Sequence, residues 1–254
     1  MTSAAGLSEL RSPQTAVRAE DGAHHETRPR PAGTLIVPLG SIEQHGTHLP
    51  LGTDGIIAEA LCRRVASGLT AADGPGSPWF LAPLIPFGSS GEHEQFPGTV
   101  SIGHAELGGY LVELARSATR WCPRIRFVTG HGGNAPALRG ACRLLLREGR
   151  DVAWTGLDPA DADAHAGHTE TSLLLHLAPE LVRMDLAAPG RLDPLEKILP
   201  DLVRDGVQAV SPTGVLGDPT TATAAEGAVL AEQACADLSH RLTHSLTDDG
   251  GRLA

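Results

Sequence analysis

Apolar positions along this chain follow two alternating rhythms. The continuous apolar run at Thr34–Leu39 reads as a buried parallel strand, because a strand covered on both faces needs no polar alternation, and Arg124–Val128 and Val152–Gly156 read as further strands. Trp79–Ile85 reads as a further strand whose pairing is weakened by Pro83, which has no N–H to donate. Between these runs the spacing turns helical. The predicted helices are about Ile56–Ser67, with Asp54 near the start and Gly68 past the end, Leu107–Trp121, Ala137–Glu148 stopped by Gly149, and Leu173–Leu177. A long helix closes the chain, reaching about Leu246, whereas 187–210 is Pro-rich and fits neither rhythm. Strand and helix alternating in this way predict an α/β fold with a mostly parallel sheet covered by helices on both faces. Residues 1–31 lack a sustained apolar period and read as a mobile N-terminal arm, leaving 32–254 as a single domain.

In such folds ligands bind beyond the carboxyl ends of the strands, and two polar motifs follow strands directly. The first is Gly40-Ser-Ile-Glu-Gln-His-Gly-Thr-His-Leu-Pro-Leu-Gly-Thr-Asp54. Extended residues two apart share a face, so Glu43 and His45 aim at one point, and the Pro-Leu-Gly turn lets Asp54 return to it. Carboxylates and imidazoles converging in this way suit Zn²⁺, Fe²⁺ or Mn²⁺. His48 is either a further ligand or a partner behind the ligands, and Leu49 and Pro50 beside it favour packing. The second motif is Thr129-Gly-His-Gly-Gly-Asn134, where glycines let the backbone bend tightly around His131. Asn134 would orient a ligand, donate to a substrate carbonyl, or cap the helix that follows.

A third cluster, His165, His168 and Glu170, precedes an apolar helix. Glu170 suits a metal ligand and His165 a proton donor or acceptor, while Glu170 also suits the helix dipole. His93, in the glycine-rich loop 87–99, is placed to reach substrate. His176 in the apolar helix reads as a core histidine and His104 as a helix-start residue. His24 and His25 read as an accidental pair in the arm, and His240 and His244 as a solvated pair despite zinc-compatible spacing.

Composition narrows the function classes. The 254 residues suffice for one large domain, and 30 glycines with 19 prolines against 41% hydrophobic residues suit a loop-rich enzyme. A formal net charge of −10 and dispersed arginines argue against nucleic acid as a partner. No 18-residue apolar span suggests a membrane partner. Cys62, Cys122, Cys142 and Cys235 form no Cys-x-x-Cys pair and read as buried thiols of a cytoplasmic protein. With no nucleophile elbow and no phosphate loop, metal-activated water is the best nucleophile the chain offers.

Taken together, Gly40-Ser-Ile-Glu-Gln-His-Gly-Thr-His-Leu-Pro50 with Thr53-Asp54, Phe96-Pro-Gly-Thr99, Gly130-His-Gly-Gly-Asn134, His165-Ala-Gly with Glu170-Thr-Ser172, and Gly217-Asp-Pro with Ala222-Thr-Ala resemble the creatininase (creatinine amidohydrolase) family over roughly 32–245. The resemblance implies a three-layer α/β/α fold and a two-metal hydrolase site with Glu43, His45, Asp54, His131 and Glu170 as ligands, Asp54 bridging. In creatininase itself a glutamate stands two positions after the His131 equivalent, where this chain has Gly133, and many members have Glu where this chain has His168. The strings 163–172 and 214–227 are most similar to a peptide-maturing branch of the family. That branch implies Fe²⁺ and/or Zn²⁺, with Mn²⁺ possible, a modified precursor peptide whose cross-linked C-terminal Val-Tyr portion is released, and a homo-oligomer. His165 would then protonate the departing amine and His168 would contact substrate. A small cyclic or formyl amide as substrate, and a non-catalytic binding module, are the competing readings.

Overall fold

In a computed structural model of the protein, which describes residues 33–73, 77–157 and 162–253 together with Ser8, the two rhythms separate into layers. The elements run β1 (Thr34–Leu39), α1 (Thr53–Asp73), β2 (Trp79–Leu81), α2 (His104–Ala118), β3 (Arg124–Thr129), α3 (Ala135–Arg147), β4 (Asp151–Gly156), α4 (His168–Leu177), α5 (Leu195–Asp205), α6 (Val207–Val210) and α7 (Ala224–His244). Apart from Ser8, the expected N-terminal arm, with His24 and His25, lies outside the described residues.

The strands form one parallel sheet in the order β2-β1-β3-β4. β1 is central and buried at every position, which is why its apolar run is unbroken. Successive side chains of a strand point to opposite faces, and the two cores follow from that. Leu35, Val37 and Leu39 join Ile125, Phe127, Val152 and Trp154 against α2 and α3. Ile36, Val128 and Ala153 face the other way, against α1, α4 and α7. The result is the three-layer α/β/α arrangement, with strand ends β1 and β3 side by side beneath one rim.

Several boundaries move, each for a local reason. β2 stops at Leu81, ahead of Pro83, and pairing with β1 resumes only as the single bridge between Leu39 and Ile85. Helix α4 starts at His168 rather than Leu173, because the Asp163 carboxylate accepts the backbone N–H groups of His168 and Thr169 (3.0 Å for the latter) and satisfies that end. The segment that fitted neither rhythm holds α5, which buries Ile198 and Leu202 in a small separate cluster with Val207 and Leu216. His176 is exposed, not core, since α4 packs through Leu173 and Leu174. His104 does open α2. Among the described residues no helix is long and apolar enough to cross a membrane.

Candidate metal centre

The chain leaves β1 still extended. Glu43 N–H donates to the Leu51 carbonyl (3.0 Å), and the Ile42 carbonyl accepts Val100 N–H (2.8 Å). Held straight on both sides, this segment turns Glu43 and His45 toward one point. The turn at 50–52 then closes, with Thr53 Oγ1 donating to the Pro50 carbonyl (2.7 Å), so that Asp54 falls in the first turn of α1. The end of β3 presses against that turn. A Cβ at Gly130 would lie 2.5 Å from the Asp54 carbonyl oxygen, so only glycine lets β3 deliver His131 here.

Four predicted ligands therefore converge, all nearly or fully buried. Asp54 stands between the two imidazoles: its Oδ1 is 3.2 Å from His45 Nε2 and its Oδ2 is 3.8 Å from His131 Nδ1. Glu43 Oε1 lies 3.2 Å from His131 Nδ1. The far nitrogen of each ring is fixed by the protein. His45 Nδ1 donates to the Glu43 carbonyl (3.1 Å) and His131 Nε2 to the Ser89 carbonyl (3.1 Å). Each imidazole thus presents a chosen nitrogen to the carboxylates. Glu170 comes within 3.9 Å of His45 Nε2, anchored by Ala166 N–H donating to its Oε2 (2.6 Å). Ala166 has φ 51, the only positive value among the described non-glycine residues, so backbone strain is stored beside this carboxylate.

The remaining predicted residues divide. His165 is brought against the cluster by the bridge to Leu216, and its ring lies 4.3 Å from that of His45. Its Nε2 donates to the Gln44 backbone carbonyl (2.8 Å), which leaves Nδ1 as the basic nitrogen, 3.8 Å from Glu43 Oε1. His93 does not merely line the loop: its Nε2 approaches Glu43 Oε1 at 3.4 Å, making Glu43, His93 and His165 a further metal-compatible group. His168 stands on a cavity wall, Nε2 2.9 Å from Glu226 Oε2 and Nδ1 2.9 Å from Thr221 Oγ1. Asn134 does not cap α3. Its Oδ1 accepts Ser89 N–H (2.8 Å), and its Nδ2 donates to the Gly40 carbonyl (3.0 Å) and to Thr129 Oγ1 (3.1 Å), tying loop 87–99 to both strand ends. His48 packs behind the cluster, bonded through Nε2 to Thr171 Oγ1 (2.9 Å). Gln44, unremarkable in sequence, donates through Nε2 to His93 Nδ1 (2.9 Å) and to the Gly214 carbonyl (3.1 Å). Its position inside the Glu43–His45 motif was the one signal that could have marked it.

Electrostatics follow from packing acids and bases out of water. Burial would raise the Glu43 carboxyl, but the His131 imidazole, with His93 and His165 behind it, holds it well below the usual carboxylate range. Burial works against a charged His45, yet Asp54, Glu170 and Glu43 push it up to about 10. His131 is likewise raised well above its ordinary value, against burial, by Glu43, Glu92 and Asp54. Asp54 is pushed up to about 6 by burial and by the neighbouring Glu43 charge. Burial and the facing His45 lower His165, keeping it neutral.

The donor set fits divalent cations. Glu43 Oε1 and Oε2 and Asp54 Oδ2 are buried and accept no well-formed hydrogen bond. A carboxylate oxygen out of water without a partner is costly, and a cation among these oxygens removes that cost. Carboxylates with imidazoles suit Zn²⁺, Mn²⁺ and Fe²⁺. The cluster lies where two cavities meet, of about 840 Å³ and about 860 Å³, with His131 and His165 lining both. A centre reached from two sides can act in the middle of a long substrate.

Comparison with known proteins agrees with this geometry. The family model for creatinine amidohydrolase matches residues 23–242. The mycofactocin precursor peptide peptidase of Mycobacterium ulcerans (strain Agy99) is 56% identical over 197 residues, covering 76% of this chain and 78% of the relative. Among solved structures, a manganese creatininase superposes with a TM-score of 0.66 at 26% identity, covering 82% of this chain and 89% of its own. A creatininase mutant of Zn–Zn type superposes with a TM-score of 0.65 at 26% identity, covering 82% and 88%. The α/β/α layering, the carboxylate and imidazole donors at the strand ends, and a match across most of the sequence lead to one assignment: this chain belongs to the creatininase family of metal-dependent hydrolases.

Proposed function

We propose that the protein is a metal-dependent peptidase that hydrolyses the modified mycofactocin precursor peptide and releases its cross-linked C-terminal Val-Tyr portion. The substrate reading is supported by the high identity to mycofactocin precursor peptide peptidases across three quarters of the chain. The observation that carries the chemistry is Asp54, whose two oxygens face His45 on one side and His131 on the other. That arrangement supports two ions per subunit, which Glu43 and His131 would hold on one side and His45 and Glu170 on the other, with Asp54 placed between them. Fe²⁺ and Zn²⁺ are the ions we assign, with Mn²⁺ as an alternative suited to the same donors. Bound there, divalent ions polarise a carbonyl and lower the pKa of water from about 16 to roughly 7.

The chain's own residues supply the rest. His165 is neutral, and its Nε2–H is held by the Gln44 carbonyl, so Nδ1 is free to take a proton. It accepts the proton lost by the attacking water and returns it to the departing amine as the C–N bond breaks. Gln44 keeps both His93 and the 40–54 loop in register through its side-chain amide, which also accepts Gly46 N–H through Oε1 (2.9 Å). His168, on the wall of the 840 Å³ cavity with Leu192 and Leu195, meets the part of the peptide beyond the scissile bond. We place the protein in the cytosol, supported by four cysteines that all stay buried thiols, and read it as a homo-oligomer on the family resemblance.

The test is mass spectrometry of metal-loaded enzyme incubated with the modified precursor peptide and, separately, with creatinine. Cleavage of the peptide with creatinine untouched is the expected result. Turnover of creatinine with the peptide intact would move the protein to the small-amide branch.

A further inference from the structure

At Gly133, two positions after His131, the space a side chain would need is already filled. A Cβ there would lie 2.3 Å from His131 Nε2, 2.4 Å from Glu92 Oε1 and 2.7 Å from the Ser89 carbonyl oxygen. The backbone at 133 is not left-handed, so what glycine supplies is room rather than conformational freedom. The occupant that comes from elsewhere in the chain is Glu92, on the short 3-10 turn Gly91–His93 of loop 87–99.

Glu92 Oε1 lies 3.3 Å from His131 Nε2. This is the outer nitrogen, also bonded to the Ser89 carbonyl at 3.1 Å, while the inner Nδ1 faces Glu43 and Asp54. The next residue on the same turn, His93, points its Nε2 at Glu43 from the other side. Loop 87–99 thus reaches the cluster at two points, and Asn134 ties it down through Ser89.

We propose that Glu92 is a positioning residue: its carboxylate stands beside the Ser89 carbonyl at the outer nitrogen of His131, helps hold the ring with Nδ1 committed to metal, and brings a negative charge to that side of the imidazole from loop 87–99. An imidazole whose outer N–H meets a carboxylate is a stronger and better oriented ligand, and losing such a partner typically costs about 10–100-fold in metal affinity. Glycine at 133 leaves the room in which the His131 ring and the Glu92 carboxylate meet, and a side chain there would press on both. The proposal rests on the metal reading of the site and is independent of which peptide is cleaved.

The experiment measures Zn²⁺ affinity of the metal-free full chain by competition with a chromophoric chelator, with no substrate present. His131→Ala serves as the control for the metal reading itself. Glu92→Ala should weaken Zn²⁺ binding about 10–100-fold, and the isosteric Glu92→Gln should fall between it and the parent. Gly133→Ala, whose Cβ would press on His131 Nε2 itself as well as on Glu92, should weaken Zn²⁺ binding at least as much as Glu92→Ala. The visible spectrum of the Co²⁺-loaded protein should shift in Glu92→Ala, which a purely structural loop contact would not produce. Zn²⁺ affinity within twofold of the parent in both Glu92 variants, with His131→Ala clearly weakened, would overturn the role of Glu92 and leave the metal site standing. Unchanged affinity in His131→Ala as well would overturn both.

Discussion

Two pairs of histidines in this molecule look equally suited to metal on paper and differ in everything that decides the matter. His240 and His244 sit one turn apart on α7, their rings stacked with centroids 5.0 Å apart, exposed to solvent. His45 and His131 come from different strand ends, eighty-six positions apart in sequence, and are almost wholly buried around Asp54. Water solvates the exposed pair, and among the described residues no metal-compatible group includes either member. At the buried pair, carboxylate oxygens with almost no exposed surface are left without hydrogen bonds. Spacing on one helix is therefore a weaker sign of a metal site than desolvated carboxylates that need a cation.

The comparison breaks most visibly at Asp54. Asp54→Ala removes the carboxylate facing both imidazoles, so metal content should fall and kcat/KM should drop by about three orders of magnitude or more, the worth of several kcal/mol of Lewis-acid stabilisation. Elemental analysis and steady-state kinetics on the same preparation check both. His165→Ala should separate the two effects: metal content unchanged, kcat lower by about 10²–10⁴-fold, the usual contribution of a positioned acid–base group.

Protonation sharpens the contrast further. In the metal-free protein His45 is raised to about 10 and His131 well above its ordinary value, so both carry protons at pH 7. If these two imidazoles hold the metal, both must lose their extra protons, so metal binding should release protons and affinity should fall as the pH falls. Calorimetric Zn²⁺ titrations in buffers of different ionisation enthalpy count the protons released. The smallest effect is expected at the exposed pair: His240→Ala and His244→Ala should leave metal content and kinetics within about twofold, since surface changes away from special contacts are usually near neutral.

What was legible in the sequence follows the same division. Strand β1 was readable because it is buried at every position and carries an unbroken apolar run, and β3 and β4 because each buries a short β-branched and aromatic segment between two helical stretches. Glu43 and His45 were readable as a pair because alternation in an extended segment is a local property. Contacts made across the fold were not. His93 meets Glu43 and Glu92 meets His131 only after α2 and β3 are packed, and no local rhythm encodes that. Asn134 looked like a cap or a substrate donor, yet its amide links two strand ends to a loop. His176 misled because a ten-residue helix with apolar neighbours does not reveal which of its faces is covered. α5 was hidden by prolines, one of which, Pro200, lies inside it.

The most direct measurement is a titration of metal-free enzyme with Zn²⁺ or Fe²⁺, following cleavage of the modified precursor peptide by mass spectrometry and bound metal by elemental analysis together. The account predicts no cleavage without metal, activity rising to a plateau at about two ions per subunit, the number a shared carboxylate would serve, and no recovery at any loading in Asp54→Ala. Full cleavage by the metal-free enzyme, or recovery in Asp54→Ala at the same metal content as the parent, would contradict it.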